Sequence, residues 1–322
     1  MAELRIEDLG EGDPAISAEF PDWDAHALAG DFAHRLYSVV APAHRDMSFK
    51  VMDGDQALLL ARATISDQQV SFFGLPARLA PRVGLEGKKL KGAINTALDH
   101  MNKAAVERGA ETIIIGGPVA EEAGVLATAC IDRLAKGETT AWVVADLRQD
   151  EALLKRDIRD SYRSLVNWGE RNITMKAVNA AAPDRELFER YPAFHAKISS
   201  RNMGEAYWQV YWEEILRGKA ELLLGWLADG TLVSGSIVVG AGDVAYYASG
   251  VYARDQFDKP LGHWPLWQAM TRAKSSGYQW FDAGEVADYT HASDKEASIA
   301  FFKRGFTSRR YLRMRWVLPK RN

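Results

Sequence analysis

The segment ELLLGWLADGTLVSGSIVVGAGDVAYYASGVYA, residues 221–253, sets short apolar runs between turn residues at Asp229-Gly230 and Gly240-Ala241-Gly242. Runs rich in Leu, Val, Ile and Tyr punctuated in this way predict an antiparallel meander. The next stretch, WPLWQAMTRAKSSG, places Pro265 near a first helical turn and Gly277 just past a last one, the asymmetry that helices favour. Leu266, Met270 and Ala273 give that helix one apolar stripe. A strand, YQWFDAG, a short helix over 296–303 and a final strand from Tyr311 complete the second half.

The first half has the same order. SFKVMDGDQALLLARATISDQQVSFFGLPARL reads as a meander turning at Asp53-Gly54 and near Asp67-Gln68. KKLKGAINTALDHMNKAAVERG aligns Leu90, Ile94, Ala97, Leu98, Met101 and Ala105 on one helical face, with Gly109 as the stop. Strand TIIIGGP, helix EEAGVLATACIDRLAKG and strand TAWVVADL follow. Meander, helix, strand, helix, strand therefore occurs twice. The expected fold class is α/β (α+β), with two similar domains of mixed, mostly antiparallel sheets flanked by helices, spanning 1–148 and 149–322.

Between the halves, residues 150–172 predict one helix with Asp150 as N-cap and Leu154, Ile158, Tyr162, Leu165 and Val166 inward. Lys155, Arg156, Arg159, Arg163 and Arg171 fall mostly on other faces. No Pro-rich or Ser-rich linker separates the two halves.

Composition narrows the function classes. The 322 residues carry a formal net charge of -3 and 47% hydrophobic residues, an ordinary globular balance. No apolar run approaches the roughly 18 residues of a membrane span. The acidic N-terminus MAELRIEDLGEGDP lacks a basic start and an apolar core, so no signal peptide is expected. Cys130, the one cysteine, sits in an expected buried helix face. The histidines show no HExxH-type pairing, so no metal site is expected. A cytoplasmic protein follows as the expectation. The net charge, with no helix-turn-helix or zinc pattern, argues against DNA binding. The run from Lys303 to Arg321 nevertheless holds eight Lys or Arg and no acid. It calls for a local anion or serves as a solvated edge.

A meander, a helix and a splayed strand, taken twice, resemble the acyltransferase fold of the GNAT superfamily. Four segments are similar to the FemAB (Fem ligase) family and its acetyltransferase relatives. They are DIRDSYRSLVNWGERNI, GHWPLWQAMTRAKSSGYQWFDAGEV, the terminal FFKRGF and, in the first half, IIGGPVAEE. The chain departs from the best-known Fem enzymes in lacking a long helical arm. It also carries Ala283 and Glu285 where a second glycine is typical.

The resemblance implies transfer of an acyl group to an amine, with no cofactor beyond the donor. The donor is aminoacyl-tRNA or, alternatively, acyl-CoA; the acceptor is a small amine such as a peptidoglycan precursor, an amino sugar or an amino acid. It also implies site residues. Lys303, within FFKRGF, would meet negative charge developing at the carbonyl, its exposed tip held against a wall of Phe301, Phe302 and Phe306. Arg201, in KISSRNMGEAYW, matches by position an arginine that contacts substrate phosphate, and Tyr207 would stack or close the cleft beside it. Glu121, after GGP, stands where the family often has an acidic base, although Glu121 and Glu122 equally suit the opening of a helix. Asp282 and Glu285 on the splayed strand, and Asp288 and His291 beyond it, are further acidic or basic groups. Arg163 is a substrate contact on the basic helix, with tRNA a possible partner there. His263 precedes a helix and reads as structural.

Two features separate the donors. An acyl-CoA enzyme carries a glycine-rich loop whose amides cradle pyrophosphate before the helix at 264. Here that place reads RDQFDKPLGHWPLW, with Gly262 alone and Pro265 removing an amide. In the first half, RVGLEGKKLKGA is a looser phosphate loop. A noncatalytic, partner-binding module is the third reading, opposed by the retained Lys303 segment.

Overall fold

The computed structural model describes residues 4–9, 19–256, 258–286 and 293–321. The chain forms two compact units that do not follow chain order. One comprises Met1–Asp24, Tyr37–Thr140 and Leu312–Asn322, the other Ala25–Leu36 and Ala141–Tyr311. Against the division at 148/149 expected from chain order, contacts group Ala25–Leu36 with the second unit and Leu312–Asn322 with the first.

The first unit holds β1 (Arg5–Asp8), β2 (Arg45–Asp46), β3 (Phe49–Asp53), β4 (Gln56–Arg62), β5 (Thr64–Ile65), β6 (Gln69–Ser71), β7 (Arg78–Pro81) and β8 (Thr112–Pro118). β1, β3, β4 and β7 form an antiparallel sheet. β6 runs parallel to β8, and the last strand of the chain, β15 (Tyr311–Pro319), pairs antiparallel with β8. The helix Gly87–Arg108 (α2) ends as expected at Gly109, whose φ of 77° is left-handed. Its Ile94, Leu98 and Met101 share a core with Phe49, Ile113, Trp316 and Leu318. The expected helix over 121–137 is shorter, Val125–Asp132 (α3). The turn to left-handed φ at Leu134 ends any continuation.

The second unit begins with helix Asp31–Val40 (α1), which reaches past its Leu36 boundary. Instead of one helix over 150–172 there are two, Glu151–Asp157 (α4) and Asp160–Asn172 (α5). The break at Ile158, which is extended, has visible causes. Asp157 accepts from the Thr307 hydroxyl and the Ser308 amide, and Arg159 N–H donates to Gly305 C=O. Those partners are distant in sequence and displace helical ones.

Residues 141–146 of β9 (Lys136–Asp146), with β10 (Thr174–Val178), β11 (Ala220–Trp226), β12 (Leu232–Ala241), β13 (Val244–Tyr252) and β14 (Trp280–Val286), build the second unit's sheet. Its order is β10-β11-β12-β13-β14-β9, antiparallel except where β13 runs beside β14. Alternation along β11 sends Leu222 and Leu224 to one face and Leu223 to the other. On the first face lie helices Arg185–Ser199 (α6) and Glu205–Leu216 (α7), through Phe188, Tyr191, Trp208 and Tyr211. On the other lie α4, α5 and helix His263–Ser275 (α8), through Leu154, Tyr162, Leu266 and Met270. The stripe Leu266, Met270, Ala273 faces inward as the period requires. Helix Asp294–Lys303 (α9) closes the unit.

Candidate active site in the second unit

β13 and β14 pair over only three positions, Val244–Tyr246 against Trp280–Asp282, and then separate. Both strands are irregular where they part. The β12 partners of β13 shift register between Ile237 and Val238, opposite Ser249 and Tyr247, which leaves Ala248 without a cross-strand mate. Such a bulge bends its strand and frees backbone groups from the ladder. The pairing of β14 with β9 breaks between Asp282 and Glu285. There Gly284 takes φ of 95°, a conformation that disfavours any side chain.

Lys303 reaches this divergence from the end of α9. Ser293 and Glu296 form a reciprocal capping box that sets the start of the helix. At its end a side chain on Gly305 would collide with the Tyr162 ring, so the turn into Phe306 lies flat against α5. Phe302 and Phe306 pack on each other at 5.3 Å and on Tyr162 and His263. The Lys303 ammonium lies 3.0 Å from where a Cβ on Gly284 would stand. It is partly buried, not the exposed tip expected. Burial lowers its pKa, and the charges of Asp282 and Glu285 pull the other way. The result is a cation less basic than a surface lysine, placed at a gap in the sheet.

Asp282 has no exposed surface. Its Oδ1 accepts the Gly284 N–H at 2.7 Å, and its Oδ2 meets His26 Nε2 at 2.9 Å. His26 also accepts the Leu28 N–H on Nδ1 at 3.1 Å and packs beside Tyr246 and Trp142. Sequence reading missed His26: it lies 256 residues from Asp282, and its local signal is only that of a helix cap. Glu285, on the same strand, is exposed. Lys303, Asp282, Glu285 and Phe302 are therefore brought together.

The remaining residues named from sequence stand elsewhere. Arg163 donates to the carbonyls of Lys155 and Arg156 and pairs with Asp160, so it closes the end of α4 instead of facing a substrate. Arg201 is exposed after α6, in the loop that leads to Tyr207. Tyr207 packs edge-on against Trp208, shares a 3.3 Å contact with the Tyr211 hydroxyl, and has its pKa raised by burial. Glu121, in the first unit, is exposed in a bend that precedes α3 and is outside its first turn. Asp288 and His291 lie outside the described residues.

The basic C-terminal run is mostly occupied by structure. Arg309 pairs with Asp146 at 3.0 Å, and Arg310 donates to the carbonyls of Arg304, Thr307 and Arg309. In the first unit Arg315 lies 3.7 Å from Glu138. Lys303 differs from these in lying at the strand divergence.

The first turn of α8 is crowded. A Cβ on its N-cap Gly262 would come within 3.0 Å of Phe302 and 3.2 Å of Tyr252. The His263 N–H already donates to Pro260 C=O at 3.4 Å, and Pro265 has none to give. A pyrophosphate cradle uses successive free amides, which this turn does not offer. Burial lowers the pKa of His263 to about 4, against a smaller opposing effect of the Pro260 carbonyl.

Residues 153–294 match the family model described as an acetyltransferase (GNAT) domain. The structure is similar to that of FemX, with a TM-score of 0.69 at 14% identity over 97% of this chain and 96% of that one. A tandem GNAT protein from the clavulanic acid biosynthesis pathway gives 0.61 at 16% identity, covering 99% of both chains. L-PGS from Bacillus licheniformis gives 0.57 at 13% identity, over 98% of this chain and 94% of that one. No curated protein sequence matches the chain. The whole chain shares the fold of FemX and of the tandem GNAT protein, and the GNAT domain match by sequence covers residues 153–294. Among the described residues no helix is long and apolar enough to cross a membrane, and no cluster of His, Cys, Asp or Glu could hold a metal ion.

Proposed function

We propose that the second unit transfers an aminoacyl group from aminoacyl-tRNA to the amine of a small acceptor, a peptidoglycan precursor being the class the Fem-like fold favours. The carrying observation is the Lys303 ammonium at the divergence of β13 and β14, beside Asp282 and Glu285. In the reaction the acceptor amine attacks the ester carbonyl and an oxyanion forms. Its collapse breaks the bond to the ribose oxygen, which leaves and takes a proton. Lys303 stabilises the negative charge on whichever oxygen carries it, a contribution of about 3–4 kcal/mol for one well-placed donor. The amine must lose a proton, and Glu285, the exposed carboxylate acting on Lys303, takes it. Arg201, exposed in the loop before α7, is assigned to a phosphate of the acceptor.

The crowded first turn of α8 supports an ester donor over a pyrophosphate-bearing thioester. The acyl-CoA reading has its own support in the fold shared with the clavulanic acid pathway protein, whose structure is described as lacking AcCoA. The test offers alanyl-tRNA and acetyl-CoA separately, each with a nucleotide-linked muropeptide, an amino sugar and free amino acids, and reads acceptor mass. An alanyl gain, absent in Lys303→Met, is expected. Acetylation with no aminoacylation would replace this reading with the acyl-CoA one.

A further inference from the structure

The environment of Lys303 contains a group that none of the roles above uses. His26 lies in a short segment, Ala25–Leu36, that belongs to the second unit although it precedes Ala141 by more than a hundred positions. It caps the 3₁₀ turn Ala27–Ala29, and its Nδ1 accepts the Leu28 amide at 3.1 Å. That bond needs the Nδ1 lone pair, so the neutral ring carries its proton on Nε2, which points at Asp282 Oδ2 2.9 Å away. Asp282 is fully buried, and its other oxygen is held by the Gly284 amide. A buried carboxylate stays ionised only when donors replace the water it has lost. Among the described residues, donors from two separate segments therefore hold this anion, and Gly284, which supplies one of them, also borders the Lys303 ammonium.

We infer that His26 is a positioning residue of the transfer site: through its Nε2–H it keeps Asp282 ionised and oriented, and Asp282 in turn keeps Lys303 an ammonium ion. The inference rests on the assignment of Lys303 above, yet it concerns the state of the lysine and not turnover. Among the described residues, Asp282 and Glu285 of β14 act on Lys303, and Asp282 and Tyr246 of β13 lie beside His26. A related arrangement, an imidazole fixed on one nitrogen so that the other serves a carboxylate, is a common way of setting a tautomer.

Two substitutions separate the two bonds of His26. His26→Asn keeps a good cap acceptor for the Leu28 amide but is too short to reach Asp282. His26→Gln extends a side-chain amide N–H to about the place of Nε2 and loses the cap. Competitive labelling with acetic anhydride across pH, read by mass spectrometry at Lys303, follows the lysine without any substrate. Lys303 should titrate lower in His26→Asn than in the native chain, and close to the native value in His26→Gln. An unchanged or raised Lys303 titration in His26→Asn overturns the inference. A second measurement uses the native protein, so a variant that fails to fold does not end the test. With ¹⁵N-labelled histidine, His26 should show a protonated Nε2 and an unprotonated Nδ1 at neutral pH, and the opposite tautomer would overturn it equally. Loss of transfer in Lys303→Met with His26 in the expected tautomer supports both readings. The expected titration without any detectable transfer keeps this inference and removes only the proposed reaction.

Discussion

The Lys303 ammonium lies 3.0 Å from the point where a Cβ on Gly284 would stand, and Gly284 holds φ at 95°. The close approach of lysine and backbone therefore requires glycine twice, once for space and once for conformation. Gly284→Ala should cost about 1–2 kcal/mol of stability from backbone strain alone. Turnover should fall further than that loss explains, because the lysine is displaced. Thermal unfolding and turnover measured together check this. A variant with native stability and native turnover would show that Lys303 has room to spare.

Lys303→Met tests the charge itself. Methionine keeps much of the apolar stem, and the flanking Phe302 and Phe306 packing does not depend on the ammonium. Native-like circular dichroism and little change in acceptor KM are expected, with turnover down at least about a hundredfold, the scale of one lost electrostatic donor. Normal turnover would leave FFKRGF as packing only.

Two arginines chosen for the same kind of role from sequence should now behave differently. Arg201→Lys, at an exposed site, should raise acceptor KM several-fold while leaving the unfolding midpoint alone, since lysine lacks the planar fork. Arg163→Ala should lower stability by about 1–2 kcal/mol, because the carbonyls of Lys155 and Arg156 lose their donor, and should leave KM unchanged. Kinetics and denaturant melts on the pair distinguish a ligand contact from a structural one. The reverse pattern would return Arg163 to the site.

His263 predicts an acid-sensitive stability. Its folded pKa of about 4 lies below the ordinary 6.5 because burial among Tyr162, Phe302 and Phe306 disfavours the cation. The unfolded chain therefore binds the proton first. The stabilising contribution is complete above about pH 6.5 and is lost as pH falls from there towards 4. Melting curves of the native chain and His263→Phe should diverge in that window, the variant losing less. Parallel curves would mean that the ring is solvated.

Periodicity made much of the fold legible. The stripe of α2, the stop at Gly109, the meander turns at Asp53-Gly54 and Asp229-Gly230, and the placement of Lys303 at the end of a helix are all local consequences of residue order. The helices α6 and α7 are less legible, since Pro192 interrupts the first and apolar residues occupy most faces of the second. The kink between α4 and α5 was illegible for a different reason. Its cause is a bond from Thr307 to Asp157, 150 residues away.

The candidate site divides in the same manner. Sequence alone determined many of the elements and that Lys303, Asp282 and Glu285 sit where one helix and one strand end, since spacing of apolar positions and cap residues acts over a few neighbours. Tertiary structure decided that Arg163 is occupied by backbone carbonyls, that Lys303 is partly buried, and that His26 completes Asp282. It also decided which unit each terminal segment joins. A hydrogen bond to a buried carboxylate depends on distance and desolvation, and neither is written in the order of residues until the chain has folded.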